Sequence, residues 1–234
     1  MDRTLSAASR HNARAGEFQT RPLLDFVTAL VGREDAVLRS IREETPRKGL
    51  PDIGIGPDEG RILHFLVSAC GARKAVEVGT LAGYSACWIA RALPADGALH
   101  TIEYEPKHAA VARANIARAG LSSRITLHEG PGGEVLAKLS PLGPFDFCFI
   151  DADKTGYPVY ARWAADHLRS GGMVALDNAY LFGKLHRDDL AASDVDASKV
   201  PAMRACLNLL LDESLFTSCA MIPTGEGLAV AVRR

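Results

Sequence analysis

The stretch Ala75–Leu93, "AVEVGTLAGYSACWIARAL", decides the fold. It reads as a short buried strand, a glycine turn and a helix, the unit with which α/β proteins hold nucleotide-type ligands. A dinucleotide fingerprint needs G-x-G-x-x-G. Here Gly79 is followed next by Gly83, with Leu81 between them and Glu77 just before the turn. The turn has no phosphate cradle and carries a carboxylate instead.

Outward from this unit, short apolar runs alternate with helix-like segments. "KAVEV", "GALHTIE", "RITLHE", "FDFCFIDAD" and "GGMVALDN" are separated by segments such as "PKHAAVARANIARAG" and "GYPVYARWAADHLRSGG". Near-continuous apolar strands alternating with helices predict a doubly wound, mostly parallel α/β sheet covered on both faces. After a helix near "PAMRACLNLLLDE", the runs "LFTSCAMI" and "LAVAVRR" are joined only by "PTGEG", so these last two of seven strands can pair antiparallel. Ahead of the sheet, "RPLLDFVTALVGREDAVLRSIREE" and "GPDEGRILHFLVSACG" predict N-terminal helices packed on it. Residues 1–20 read as a flexible start and 21–234 as one domain, since no Pro/Gly/Ser linker divides them.

The 27 basic and 28 acidic residues leave a net charge of −1, which gives no footprint for nucleic acid or an anionic membrane. The five cysteines, Cys70, Cys87, Cys148, Cys206 and Cys219, are scattered without a C-x-x-C, as free thiols in a reducing compartment would be. No apolar run has the ~20 residues of a membrane span, and a cytoplasmic location is expected.

Ligands of such sheets bind beyond the carboxyl ends of the strands. Acidic residues recur there: Glu77, Glu103, Asp151 with Asp153, and Asp177 with Asn178. Glu103, about 20 residues past the glycine turn, is placed for ribose hydroxyls. An adenosine ligand without a phosphate cradle points to S-adenosylmethionine, whose amine and sulfonium favour acidic neighbours such as Glu77. If the fourth and fifth strands are adjacent, Asp151, Asp177 and Asn178 converge as hard oxygen donors suited to Mg²⁺, Mn²⁺ or Ca²⁺ rather than Zn²⁺.

"VEVGTLAGYS", "TIEYEP", "FDFCFIDADKTGYPVY" and "GGMVALDN", in this order and spacing, resemble the cation-dependent O-methyltransferases of the catechol and caffeoyl-CoA type. The resemblance runs from about Ile55 to "GLAVAVRR". It implies S-adenosylmethionine contacts at Ile55, Glu77, Gly79, Thr80, Ser85, Glu103, Gly130, Pro131, Gly132 and Asp151. It further implies metal ligands at Asp151, Asp177 and Asn178, an active-site lysine at Lys154, and a homodimer. Two departures are "GPGGEVL", where relatives carry Ala-Leu after the proline, and "DNAYLFGKL", which lacks the tryptophan of many relatives. The reaction expected is methyl transfer to a hydroxyl of a catechol-like or phenolic small molecule with vicinal oxygens. The alternatives are a tRNA hydroxyuridine methyltransferase of the same family, a nicotinamide-dependent oxidoreductase and a non-catalytic binding module.

The scattered histidines read as non-ligands, and Tyr84, Trp88, Phe149, Trp163, Tyr157 and Tyr160 as packing. The polar stretch from about 179 to 200 exceeds the ~12–15 residues beyond which unstructured loops become uncommon, and reads as a substrate-side lid.

Overall fold

The computed structural model describes residues 20–191 and 193–234. The flexible start expected over residues 1–20 therefore falls, up to residue 19, outside the described residues. Three helices lead into the sheet: α1 (Arg21–Val31), α2 (Ala36–Glu44) and α3 (Pro57–Ala69). The start of α3 follows from its sequence. Pro57 needs no N–H partner in the first turn, and the Glu59 carboxylate accepts the Gly56 amide at 2.8 Å.

The alternating units follow as β1 (Lys74–Val78), α4 (Tyr84–Ala92), β2 (Ala98–Glu103), α5 (Pro106–Arg118), β3 (Ile125–Glu129), α6 (Gly132–Leu139), β4 (Phe145–Ile150), α7 (Tyr157–His167) and β5 (Leu168–Leu176). Helix α8 (Lys199–Leu210) precedes β6 (Phe216–Ile222) and β7 (Leu228–Arg233). The seven strands lie in the order β3-β2-β1-β4-β5-β7-β6. All run parallel except β7, which pairs antiparallel with both β5 and β6. This is the Rossmann-like sheet expected of the sequence. Its order reverses between β1 and β4, where Val78 pairs with Ile150, and that switch point opens the crevice in which such folds bind ligands.

Because both faces are covered, the strands alternate between two apolar layers rather than between oil and water. Phe147 and Phe149 face the layer of Ile41, Leu63, Trp88 and Ile89, while Phe145, Cys148 and Ile150 face that of Tyr157, Trp163 and Met203. Each buried side chain of this size contributes about 1.5–3 kcal/mol. Cys87, Cys148 and Cys206 are buried, and all five cysteines are free thiols.

Two boundaries differ from the expectation. The seventh helix stops at His167 rather than running on through Gly172, and β5 begins at once. Tertiary partners impose this: Leu168 pairs with Phe145, Gly171 at φ +74° turns the chain, and the Phe147–Met173 pairing resumes after a bulge. The 179–200 stretch is also not a loose loop. Its described residues fold into successive turns, Ala179 and Leu181 are fully buried, and Lys184 is held by Asp194 and Asp196, with Lys199 on Asp196 as well.

Asp146 knots three elements together. Its carboxylate accepts the amides of Arg73 and Lys74 at 2.8 and 2.7 Å and the Arg169 guanidinium at 2.6 Å. Burial alone would raise its pKa; the two amides and Arg169 outweigh that and hold it below the usual carboxylate range. A depressed folded-state pKa stabilises the protein above the unfolded value, and the benefit disappears as pH falls through the folded value. Asp146→Ala is expected to lower stability by about 2 kcal/mol near pH 7. In urea titrations the gap to the parent should narrow below about pH 3.8.

Candidate active site

The carboxyl ends of β1, β2, β4 and β5 form the floor of a cleft of about 1100 Å³. Its geometry begins at Gly79. This residue has φ +99°, and a Cβ there would overlap the main-chain carbonyl of Asp151, so only glycine lets β1 and β4 approach this closely. The ends are then laced by amides: Gly79 to the Ile102 carbonyl at 2.9 Å, Asp151 to Val78 at 2.9 Å, Asp177 to Ile150 at 3.0 Å and Gly130 to Glu103 at 2.9 Å.

Beyond Gly79 the turn is strained, with Leu81 left-handed at φ 48°. Glu103 holds it. One carboxylate oxygen accepts the Thr80 and Leu81 amides at 3.2 and 2.7 Å, and the other accepts Glu105 at 2.9 Å and lies 3.5 Å from His108 Nδ1. On the next ridge, Gly130 (φ +140°) and Gly132 form a bare turn. A Cβ on Gly132 would come within 2.9 Å of the Tyr160 ring, whose hydroxyl donates to Asp153 at 2.6 Å. At the first of the two positions where "GPGGEVL" departs, Gly132, the tyrosine takes the space that a side chain would need; nothing comparable crowds Gly133.

Ile55, Gly79, Thr80, Ser85, Glu103, Gly130, Pro131, Gly132, Asp151, Lys154, Asp177 and Asn178 all line this one cleft. Glu77 does not. It is fully buried beneath the turn, where Thr101 donates to one oxygen at 2.6 Å and Thr80 contacts Thr101 at 2.5 Å, while its other oxygen has no partner. Burial pushes its carboxyl up to about 8, against the opposing pull of the Ser85 and Thr101 hydroxyls. A buried carboxyl in this state gains from a nearby cation.

At the opposite wall, adjacent β4 and β5 bring Asp151 and Asp177 together. Asp177 is only 4 % exposed. Burial, then the facing charges of Asp151 and Glu59, push its carboxyl well above the ordinary range. Glu59, itself raised mainly by burial, was missed in the sequence because its capping role masked its place on the cleft. Asn178 sits at φ 53° and donates Nδ2 to Glu226 Oε2 at 2.9 Å. A carboxylate only accepts, so the amide oxygen is the end left for another ligand. Among the described residues no three or more His, Cys, Asp or Glu side chains gather as a ready metal cage. The donor set here is two carboxylates and an amide oxygen amid excess negative charge, and it fits a hard divalent cation.

Lys154 lies between these walls. Its ammonium donates to Asp151 Oδ1 at 3.1 Å, the Ala152 carbonyl at 3.0 Å and the Tyr157 hydroxyl at 2.7 Å, and that hydroxyl donates to the Asp177 carbonyl at 3.1 Å. Tyr157 and Tyr160, read as packing, thus also position polar groups of the cleft.

The comparisons agree with this architecture. The O-methyltransferase family model matches residues 29–234. A catechol O-methyltransferase of Mycobacterium tuberculosis is 40% identical over 211 residues, covering 88% of this chain and 92% of the relative. One from Niastella koreensis is 36% identical over 209 residues, covering 88% and 94%. Among solved structures, the Bacillus cereus O-methyltransferase in complex with SAH superposes with a TM-score of 0.84 at 31% identity, covering 91% of this chain and 97% of that one. The Streptomyces achromogenes O-methyltransferase TomG in complex with SAM gives 0.83 at 31%, covering 91% and 96%. The chain belongs to the O-methyltransferase family, enzymes that draw the methyl group from S-adenosylmethionine.

The Gly79 contact yields a direct test. Gly79→Ala should cost at least about 2 kcal/mol of stability through φ strain and the clash with Asp151, measured by urea unfolding.

Proposed function

We propose that the protein transfers a methyl group from S-adenosylmethionine to one hydroxyl of a small aromatic molecule bearing two vicinal oxygens, with a divalent cation at Asp151, Asp177 and Asn178. The observation that carries this reading is the buried Asp177 carboxylate, facing Asp151 and Glu59 with the Asn178 oxygen free beside it. The names of the catechol O-methyltransferase relatives support the substrate class. Nothing in them supports the tRNA alternative, and the glycine spacing disfavours a nicotinamide cofactor.

Glu103 is the partner for the ribose hydroxyls through the oxygen that holds only the Glu105 amide and so keeps acceptor capacity, the other oxygen being filled by the Thr80 and Leu81 amides. The Gly79 turn and the Gly130-Pro131-Gly132 turn leave room for the adenosine, with Ile55 as an apolar wall. Glu77, one hydroxyl pair below Thr80, is a buried carboxyl that the donor's cationic end above it would draw toward its charged form. In the transfer, the acceptor oxygen forms a bond to the methyl carbon as the carbon–sulfur bond breaks, its electron pair passing to sulfur. A divalent cation held by Asp151, Asp177 and Asn178 would supply positive charge that favours loss of the acceptor's hydroxyl proton. Lys154 contributes by position: its Nζ is held on Asp151, the Ala152 carbonyl and the Tyr157 hydroxyl, where it guides the departing proton. The homodimer that the resemblance implies would cover the apolar face of α1, where Leu23, Phe26 and Leu30 are exposed and no residue is buried.

Labelled-methyl assays test the reading. Catechols should outrun matched monophenols by at least about tenfold, roughly 1.4 kcal/mol of barrier. Chelation should abolish turnover, and Mg²⁺ or Mn²⁺ should restore it; full turnover in excess EDTA would overturn the cation's role. Lys154→Ala should lower the rate by about 10², and Asp177→Ala by more. A fully active Lys154→Ala between pH 6 and 9 would remove the lysine from the mechanism.

A further inference from the structure

Beyond the cleft, a second hollow of about 730 Å³ opens between the turn after β5 and the turn joining β6 to β7. Tyr180, Phe182, Leu185, His186, Gly225 and Glu226 line it, and Phe182 and Glu226 also line the main cleft, so the two spaces meet at these side chains. The doorway is built rather than incidental. The amides of Ala179 and Tyr180 donate to the carbonyls of Gly227 and Glu226 at 2.8 and 2.9 Å, which staples the two turns together. The Tyr180 ring lies where a side chain on Gly227 would be. Leu181 and Phe182 are both left-handed, at φ 48° and 53°, a conformation that holds the half-exposed Phe182 ring at the junction.

The charge pattern is one-sided. Among the described residues that line it there is no lysine or arginine; Glu226 is the one carboxylate and His186 the one side chain that can carry a positive charge. The nearby cations are engaged elsewhere: Lys184 by Asp194 and Asp196, Arg187 by Asp189, and Arg204 by Asp188. An anionic group entering the hollow would meet Glu226 with only the His186 imidazole to offset it, whereas an aromatic or alkyl group would meet Tyr180, Phe182 and Leu185. The volume falls within the range of small-molecule pockets.

We propose that this hollow seats the side arm of the acceptor: the ring that is methylated lies in the cleft beside Lys154, and an uncharged apolar arm of about ring size passes Phe182 and Glu226 into the second space. The inference rests on the methyl-transfer reading above and narrows its substrate class to catechols with an apolar extension, against those carrying phosphate or carboxylate arms.

Gly225 supplies the test. A Cβ there meets no heavy atom within 4 Å, and its φ is not left-handed, so a large side chain can enter the hollow without backbone strain. Turnover is compared for catechol, a 4-substituted catechol with a phenyl-terminated arm, and one with a carboxylate-terminated arm of equal length. In the parent, the phenyl arm is expected to raise kcat/KM over catechol by at least about tenfold, with the carboxylate arm below the phenyl arm. In Gly225→Trp, the ratio of phenyl-armed to unsubstituted catechol should fall to about one, with S-adenosylhomocysteine binding within twofold of the parent as the measure of an intact fold. A carboxylate arm that equals or exceeds the phenyl arm, or a phenyl preference undiminished in Gly225→Trp, overturns the proposal. If the parent methylates none of the three, the methyl-transfer reading fails separately. Equilibrium binding of the phenyl-armed catechol then decides the hollow: tighter binding by the parent than by Gly225→Trp supports it, and equal binding overturns it.

Discussion

Everything at the cleft depends on one backbone contact, the approach of Gly79 to the carbonyl of Asp151. Two parallel strands that diverge into helices on opposite faces leave a gap at their carboxyl ends. Here that gap is closed to the point where no side chain fits at Gly79. Asp151 is thereby fixed by main chain rather than by rotamer choice, and it stands at once on the wall of the glycine turn and on that of Asp177. Positioning by backbone is less costly to maintain than positioning by long flexible side chains, because little rotamer freedom is lost.

The second organising element is negative charge that the fold does not neutralise locally. Surface carboxylates such as Asp188, Asp189 and Asp194 are paired with arginine or lysine. In the cleft Glu59 and Asp177, and beneath its floor Glu77, are burdened by burial, and Asp177 faces like charges as well. A protein tolerates such uncompensated charge where ligands supply the missing counterpart, so the apparent instability of these groups is a property of the site rather than a flaw of the fold.

The strands were legible because their apolar runs are continuous and bounded by polar turns, and the acidic residues at their ends were legible because the α/β architecture directs every strand end to one edge. What escaped was set by distant partners. "LRS" after His167 carries no strand signal of its own; Phe145 and the Gly171 turn make it one. Glu77 reads as a strand-end acid that touches the ligand until Thr101 and Thr80 are seen to close over it. Glu226 has no local motif, and its hydrogen bond to Asn178 spans 48 positions of sequence. The cleft roles of Tyr157 and Tyr160 were hidden for a similar reason: a buried aromatic ring and a positioned hydroxyl have the same signature in a helix pattern.

The placement of β7 also bears on how the chain matures. This strand is inserted between β5 and β6, hydrogen-bonded on both sides, and the turn preceding it carries Glu226 and the carbonyls that anchor Ala179 and Tyr180. During synthesis β7 emerges after the six strands it must join. Until it does, β5 has a bare edge and the segment following Asn178 lacks its anchor. The nascent polypeptide can form the wall of the cleft from β1 to β4 while the wall carrying Asn178 and Glu226 is still unassembled, so the two halves of the pocket are born in sequence, and β5 stays open to mispairing until the hairpin closes.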